Sequence, residues 1–129
     1  MRAQPQAAPK FLNLFQIRFP IGAIASIGHR VSGVVLLILL PLLAIGLDES
    51  LGSAEDFDAL RDNLSGPLTM LLLVIVVWAA AHHVLAGVRH LLMDIGIGSR
   101  LEQARTSAWS VIVAALLIAL VAALTGALS

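Results

Sequence analysis

Two short stretches carry almost all the residues capable of chemistry. Residues 26–33 read SIGHRVSG and contain Ser26, His29, Arg30 and Gly33. Residues 83–94 read HVLAGVRHLLMD and contain His83, Gly87, Arg89, His90 and Asp94. A neutral imidazole donates a lone pair to a metal, and a guanidinium always seeks an anionic or carbonyl acceptor. Both stretches are embedded in segments otherwise apolar enough to cross a bilayer. Ionisable groups at that depth are costly, which marks them as candidate functional residues.

The elements that hold them follow from composition. The chain has 129 residues, 59% of them hydrophobic and 12% charged, with a mean hydropathy of +0.96. Soluble domains carry about twice that share of charge. The formal net charge is zero, so no global field favours nucleic acid. There is no cysteine, which excludes disulfides, thiolate chemistry and self-ligated iron–sulfur clusters. The first ten residues are polar and Pro/Ala-rich, and no secretory signal peptide is expected from them.

Three apolar runs are each near the ~20 residues that span a bilayer core: about residues 21–47, 68–93 and 109–128. Backbone groups in lipid must be satisfied internally, so the spans are helices. The expected fold is therefore all-α, an integral membrane protein with three transmembrane helices forming a single anchor domain over residues 1–129. Pro20 suits a first helical turn, and Pro41 should kink span one near its far end. Arg2, Lys10 and Arg18 precede span one, and Arg100 and Arg105 lie between spans two and three. The connection between spans one and two holds Arg61 among Asp48, Glu49, Glu55, Asp56, Asp58 and Asp62. It reads as a solvated acidic connector. Positive-inside bias places residues 1–19 and the second connection in the cytoplasm, or in the matrix of an organelle, with the C-terminus on the other side. Phe11, Phe15 and Phe19 recur at steps of four and suit an interfacial anchor, with docking to a soluble partner as the alternative.

Depth and face bring the two stretches together. His29 and Arg30 lie roughly 12–14 Å into span one, and His83 lies roughly 15 Å from the cytoplasmic end of span two, which runs the other way. Gly22, Ser26, His29, Arg30 and Gly33 follow steps of three and four, as do Ala79, His83, Gly87, His90 and Asp94. Small residues on such a stripe admit a helix or a flat cofactor at close range, and Gly87 leaves room one turn from His83.

Several chemistries fit. His83 suits a haem iron ligand shielded by hydrocarbon, or a histidine hydrogen-bonded between helices. A variant of the first has His29 and His83 ligating one haem within this chain. His82 points about 100° from His83 and is expected to be structural. His90 would meet a haem propionate or the headgroups. Arg89 lies off the stripe and is expected to snorkel to the surface. Arg30 needs a propionate, a quinone oxygen or a carboxylate such as Asp94. Ser26 and Arg30 together would hold a quinone oxygen as negative charge develops on reduction; Ser26 alone would be a small packing residue.

The residues that carry this chemistry also carry a resemblance. FPIGAIASIGHRVSG (residues 19–33) followed by HVLAGVRHLLMDIG (residues 83–96) closely resembles the cytochrome b membrane-anchor subunits of succinate dehydrogenase. The combined pattern S-x-x-H-R-x-S-G and H-x-x-x-G-x-R-H-x-x-x-D is specific, and the match in length, spans and orientation extends over nearly the whole chain.

The resemblance implies a succinate:quinone oxidoreductase complex in the bacterial inner membrane, with a flavoprotein, an iron–sulfur subunit and a second small anchor as partners. It implies haem b shared with the second anchor, and ubiquinone as the electron acceptor. His83 falls on the axial ligand, Ser26 and Arg30 on the quinone site, and His29 with Arg30 on the propionate contacts. His90 and Asp94 fall where supporting roles near the propionates and the quinone are implied. Spacing to Gly87 and His90 favours His83 over His82 as ligand. No residue here does bond-making chemistry on succinate. The alternatives are a fumarate reductase-type anchor, or a haem-free transporter or assembly helper.

Overall fold

The structure, a computed structural model, describes residues 18–128, with side chains to residue 126. The expectations attached to Arg2, Lys10, Phe11 and Phe15 lie outside the described residues. Among those described there is no strand. Four helices follow one another: α1 (Ile21–Ser50), α2 (Ala54–Leu64), α3 (Pro67–Asp94) and α4 (Leu101–Leu128). Three of them contain windows of mean hydropathy 2.4, 2.2 and 2.5 and are long and apolar enough to cross a membrane. The protein is an all-α multi-pass membrane protein.

Each helix begins where local chemistry lets it. Pro20, extended at φ −65° and ψ 151°, precedes α1, and its carbonyl accepts from Ala23 N at 2.9 Å. Pro67 occupies the first turn of α3, where no intrahelical donor is missed. Pro41 lies inside α1, which continues unbroken past it. At the end of α3 the backbone reverses through Gly96, whose φ of +84° suits glycine. Gly96 N donates to Met93 O and Ile97 N to Leu92 O, a Schellman closure of the last turn. Two helix limits differ from the expectation drawn from hydropathy. α4 starts at Leu101 rather than near Trp109, because Glu102 and Arg105 extend the helix without being apolar. The acidic connector is not plain loop: it folds as α2, capped by Ser53, whose hydroxyl accepts from Asp56 N at 3.1 Å and donates to Asp56 Oδ2 at 2.7 Å.

α3 is the central helix, touching both α1 and α4. The contacts show antiparallel packing. A side chain at Gly22 would approach Arg89 and one at Gly33 would approach His83, so successive positions on α1 meet earlier positions on α3. Likewise Arg89 reaches Ala104 and Ser107 near the start of α4, whereas Gly126 near its end backs directly onto the Met70 side chain.

Small residues make these approaches possible. The buried apolar positions are Ala25, Ala79, Ala86, Ala108, Val111, Ala115 and Ala119. Without a hydrophobic force between helices in lipid, close backbone approach and interhelical hydrogen bonds carry association. The bulky residues point outward: Leu37, Ile38 and Leu40 on α1 are all more than 60% exposed.

Candidate functional site

The site forms where α1 crosses α3. On α3 the stripe Ala79, His82, Ala86 and Arg89 is buried, at steps of three, four and three. Facing it on α1 are Ala25 and Ser32, both buried, with Gly28 between them. This stripe lies beside the one expected from the polar residues, so α1 is turned relative to that expectation. His29 and Gly33 remain at the contact, Ser26 is half-buried, and Arg30 is exposed.

The imidazoles of His29, His83 and His90 form one cluster. The rings of His29 and His83 stack at 4.3 Å between centroids and 12° between planes. His90 meets His29 edge-on at 5.3 Å and 64°. His83 Nδ1 lies 3.2 Å from the backbone oxygen of His29. A carbonyl oxygen only accepts, so Nδ1 carries the proton and, in the neutral ring, Nε2 is the free lone pair. Ser32 Oγ donates to the same oxygen at 2.9 Å and lies 3.4 Å from His83 Nδ1.

Two glycines border the cluster. A methyl group at Gly33 would stand 3.1 Å from His83 Cε1, and one at Gly87 would stand 3.4 Å from His29 Nε2. Both positions thus leave space around the rings. A free metal ion asks for three or four protein ligands, and no group of three His, Asp or Glu suited to one occurs among the described residues. A porphyrin supplies its own four nitrogens, so an oriented imidazole with one free lone pair fits haem iron. The part-buried backbone carbonyl on Nδ1 is the type of outer partner that fixes a ligating histidine.

His82 differs from its neighbour. It is buried at 3% exposure, its Nε2 donates to Ala25 O at 3.2 Å, and its ring stacks on Trp78 at 5.5 Å. Its Nδ1 is buried without a hydrogen-bond partner. This is an interhelical tie between α3 and α1. Gly28 is required there: a Cβ at that position would lie 2.6 Å from His82 Nε2.

Arg89 corrects an expectation. It does not snorkel to the surface but is 8% exposed, its Nε donating to Ser107 Oγ at 2.9 Å and its Nη2 to Ala104 O at 3.0 Å. The start of α4 offers it these acceptors, so the guanidinium turns inward. Arg30 and Asp94 make no ion pair with each other among the described residues, and both are exposed. The polar pattern alone did not single out Ser32, Gly28 or the inward role of Arg89. For Gly28 and Ser32 the signal was the spacing of small residues at 25, 28 and 32, which a search for titratable groups passes over; Arg89 turned inward because of acceptors on α4 distant in the chain.

Comparison with known proteins addresses the whole chain. A family model described as succinate dehydrogenase/fumarate reductase transmembrane subunit matches residues 4–122. The chain belongs to this family. A succinate dehydrogenase cytochrome b556 subunit from Coxiella burnetii (strain RSA 493 / Nine Mile phase I) is 41% identical over 106 residues, covering 81% of this chain and 85% of the relative. One from Paracoccus denitrificans is 32% identical over 102 residues, covering 79% and 78%. The resemblance carried by the two polar stretches holds at family level, that of succinate dehydrogenase cytochrome b membrane anchors. Within the family's matched span lie α1, α2, α3 and all but the last turns of α4.

Proposed function

We propose that this chain is the cytochrome b anchor of a succinate:quinone oxidoreductase. It would bind haem b through His83 and help pass electrons from an iron–sulfur subunit to membrane ubiquinone. The observation that carries the reading is the bond from His83 Nδ1 to His29 O, which leaves Nε2 as a fixed lone pair in an apolar setting. The cytochrome b naming of the relatives supports the same group.

In this reading haem serves as a bound one-electron carrier. The chain's own residues would hold it: His83 would offer its free Nε2 to the iron, His29 O and Ser32 orient that imidazole, and Gly33 and Gly87 leave room. His29, Arg30 and His90 supply donors for the propionates. A second small anchor subunit would share in holding the haem. It would pack against the exposed apolar side of α1, where Ile27, Val31 and Val34 are about half exposed.

Arg30 and Ser26 stand one turn apart on α1 and would hold the quinone oxygens. A guanidinium that keeps its charge stabilises negative charge as it develops on a carbonyl oxygen. Asp94 plays a supporting role at the end of α3. A flavoprotein and the iron–sulfur subunit complete the complex and carry the succinate chemistry. The single anchor domain lies in a bacterial inner membrane, with residues 1–19 and the α3–α4 turn on the cytoplasmic side, where Arg100 and Arg105 satisfy positive-inside bias. The C-terminus is periplasmic. Relatives named for succinate dehydrogenase favour succinate oxidation over a fumarate reductase role, and family membership leaves the transporter or assembly-helper alternative without support.

The test is His83→Ala in the assembled complex, read by the absorption of the reduced haem. Loss of low-spin bis-histidine bands is expected, and an unchanged spectrum would overturn the assignment.

A further inference from the structure

Two adjacent imidazoles on α3 hold α1 at two points. His82 Nε2 donates to Ala25 O and His83 Nδ1 donates to His29 O, both at 3.2 Å. The two carbonyls are four residues apart, so one stands above the other on α1, roughly 6 Å along its axis. Each belongs to the peptide unit that leads into a residue assigned above to the quinone. The carbonyl of Ala25 is bonded to the nitrogen of Ser26, and that of His29 to the nitrogen of Arg30.

The His83 ring also offers a lone pair for haem iron, whereas the His82 ring has no such second task. It is 3% exposed, it lies on Trp78, and its Nδ1 is buried without a hydrogen-bond partner. A buried polar atom left unpaired is unfavourable, and an apolar side chain would fill this place without that penalty. What the imidazole adds is its single N–H, directed at Ala25 O. Gly28 admits the ring, since a Cβ there would lie 2.6 Å from His82 Nε2.

One hydrogen bond lets a helix pivot about it. A second, one turn along, fixes tilt and register as well. The His83 bond grips α1 at the Arg30 end of the pair, and the His82 bond grips it at the Ser26 end. We propose that His82 is a positioning residue of the quinone site. Its bond to Ala25 O keeps the turn carrying Ser26 in register with the turn carrying Arg30, so that hydroxyl and guanidinium meet one quinone together. His82 acts through the α1 backbone and not by contact with the quinone. The proposal rests on the reading that Ser26 and Arg30 bind quinone.

The test uses the assembled complex and three measurements: equilibrium dialysis with a radiolabelled short-chain ubiquinone, succinate-to-quinone kinetics with the same compound, and succinate oxidation with a water-soluble dye. His82→Phe keeps a ring to lie on Trp78 and removes the N–H. His82→Gln puts an amide N–H where Nε2–H stood. His82→Phe should weaken quinone binding and lower kcat/KM for quinone about fivefold, the order of one lost interhelical hydrogen bond, and His82→Gln should recover most of both. Haem content and dye-linked oxidation should stay unchanged, which a general loss of packing would not allow. Native quinone binding in His82→Phe, equal losses in His82→Phe and His82→Gln, or a parallel fall in the dye assay would each overturn the proposal. If His82→Phe does not assemble, Gly28→Ala decides. Its methyl presses the ring away from Ala25 O, so it should weaken quinone binding likewise, and native binding there overturns the proposal. Ser26→Ala and Arg30→Ala separate the two levels of the argument. Weakened binding in them with native binding in His82→Phe removes only the positioning role; native binding in both removes the quinone reading, and the proposal with it.

Discussion

His83 Nδ1 lies 3.2 Å from the main-chain oxygen of His29 on the neighbouring helix, and Ser32 Oγ donates to that same oxygen at 2.9 Å. One carbonyl thus receives two side-chain donors from two helices. The strength with which it accepts from His83 depends on what Ser32 takes from it.

That relationship predicts the effect of Ser32→Ala. Without the hydroxyl, His29 O becomes a better acceptor for His83 N–H, and the imidazole becomes a more basic ligand. Haem should be retained, and its midpoint potential should fall by some tens of millivolts. A shift of about 59 mV would correspond to a tenfold change in relative affinity for the two oxidation states. A redox-titrated optical spectrum of the purified complex checks this, and an unchanged or raised potential contradicts the coupling.

Arg30 is exposed on this chain while His29 beside it is half-buried and stacks on His83 of α3. If Arg30 stabilises developing charge on a quinone oxygen, Arg30→Ala should lower succinate-to-quinone turnover by on the order of 10²-fold, the loss typical of one such donor. Succinate oxidation with a water-soluble dye should be unaffected. Arg30→Lys should recover part of the quinone rate, since a point charge replaces the fork. Equal losses in both assays would place Arg30 in assembly instead.

Gly28 and His82 make a second checkable pair. A methyl group at Gly28 meets His82 Nε2 at 2.6 Å, so Gly28→Ala should cost about 1–3 kcal/mol by overpacking. His82→Ala should cost stability by losing the bond to Ala25 O. The double variant should be less destabilised than the two single changes added together, because the methyl enters the space the ring leaves. Thermal midpoints of the purified complex measure the coupling; strict additivity would show that the two side chains do not compete for space.

α2 offers a contrast, since it stands away from the histidine cluster. Ser53→Ala removes its cap and should cost about 1 kcal/mol of local helix stability. Hydrogen exchange at Asp56 and Phe57 should accelerate severalfold, with haem spectrum and turnover unchanged.

How much of this was legible beforehand varies by feature. Hydropathy located three spans because lipid admits no unpaired backbone, and it missed the start of α4 because a helix needs no apolar residues once it leaves the membrane. The acidic connector read as solvated, and α2 indeed buries no residue, but its helix was not foreseen because charge alone carries no helical period. Its capping pair, Ser53 and Asp56, was the available signal. Depth matched His29 to His83 correctly, since rise per residue is constant. The rotation of α1 was misjudged, because polar residues were assumed to define the contact face.

What the sequence determined by itself is therefore the number of helices in the membrane, the family, and the level at which imidazole and guanidinium groups lie. The helix count and the level follow from local periodicity and length, and the family from the resemblance carried by the two polar stretches. Tertiary packing alone decided which side of each helix faces inward. Small residues at Ala25, Gly28 and Ser32 let α1 approach α3 closely, which turned Arg30 outward and buried His82 beside His83, while the start of α4 drew Arg89 inside onto neutral partners. Such outcomes depend on the fit between surfaces distant in the chain, which no single stretch of residues encodes.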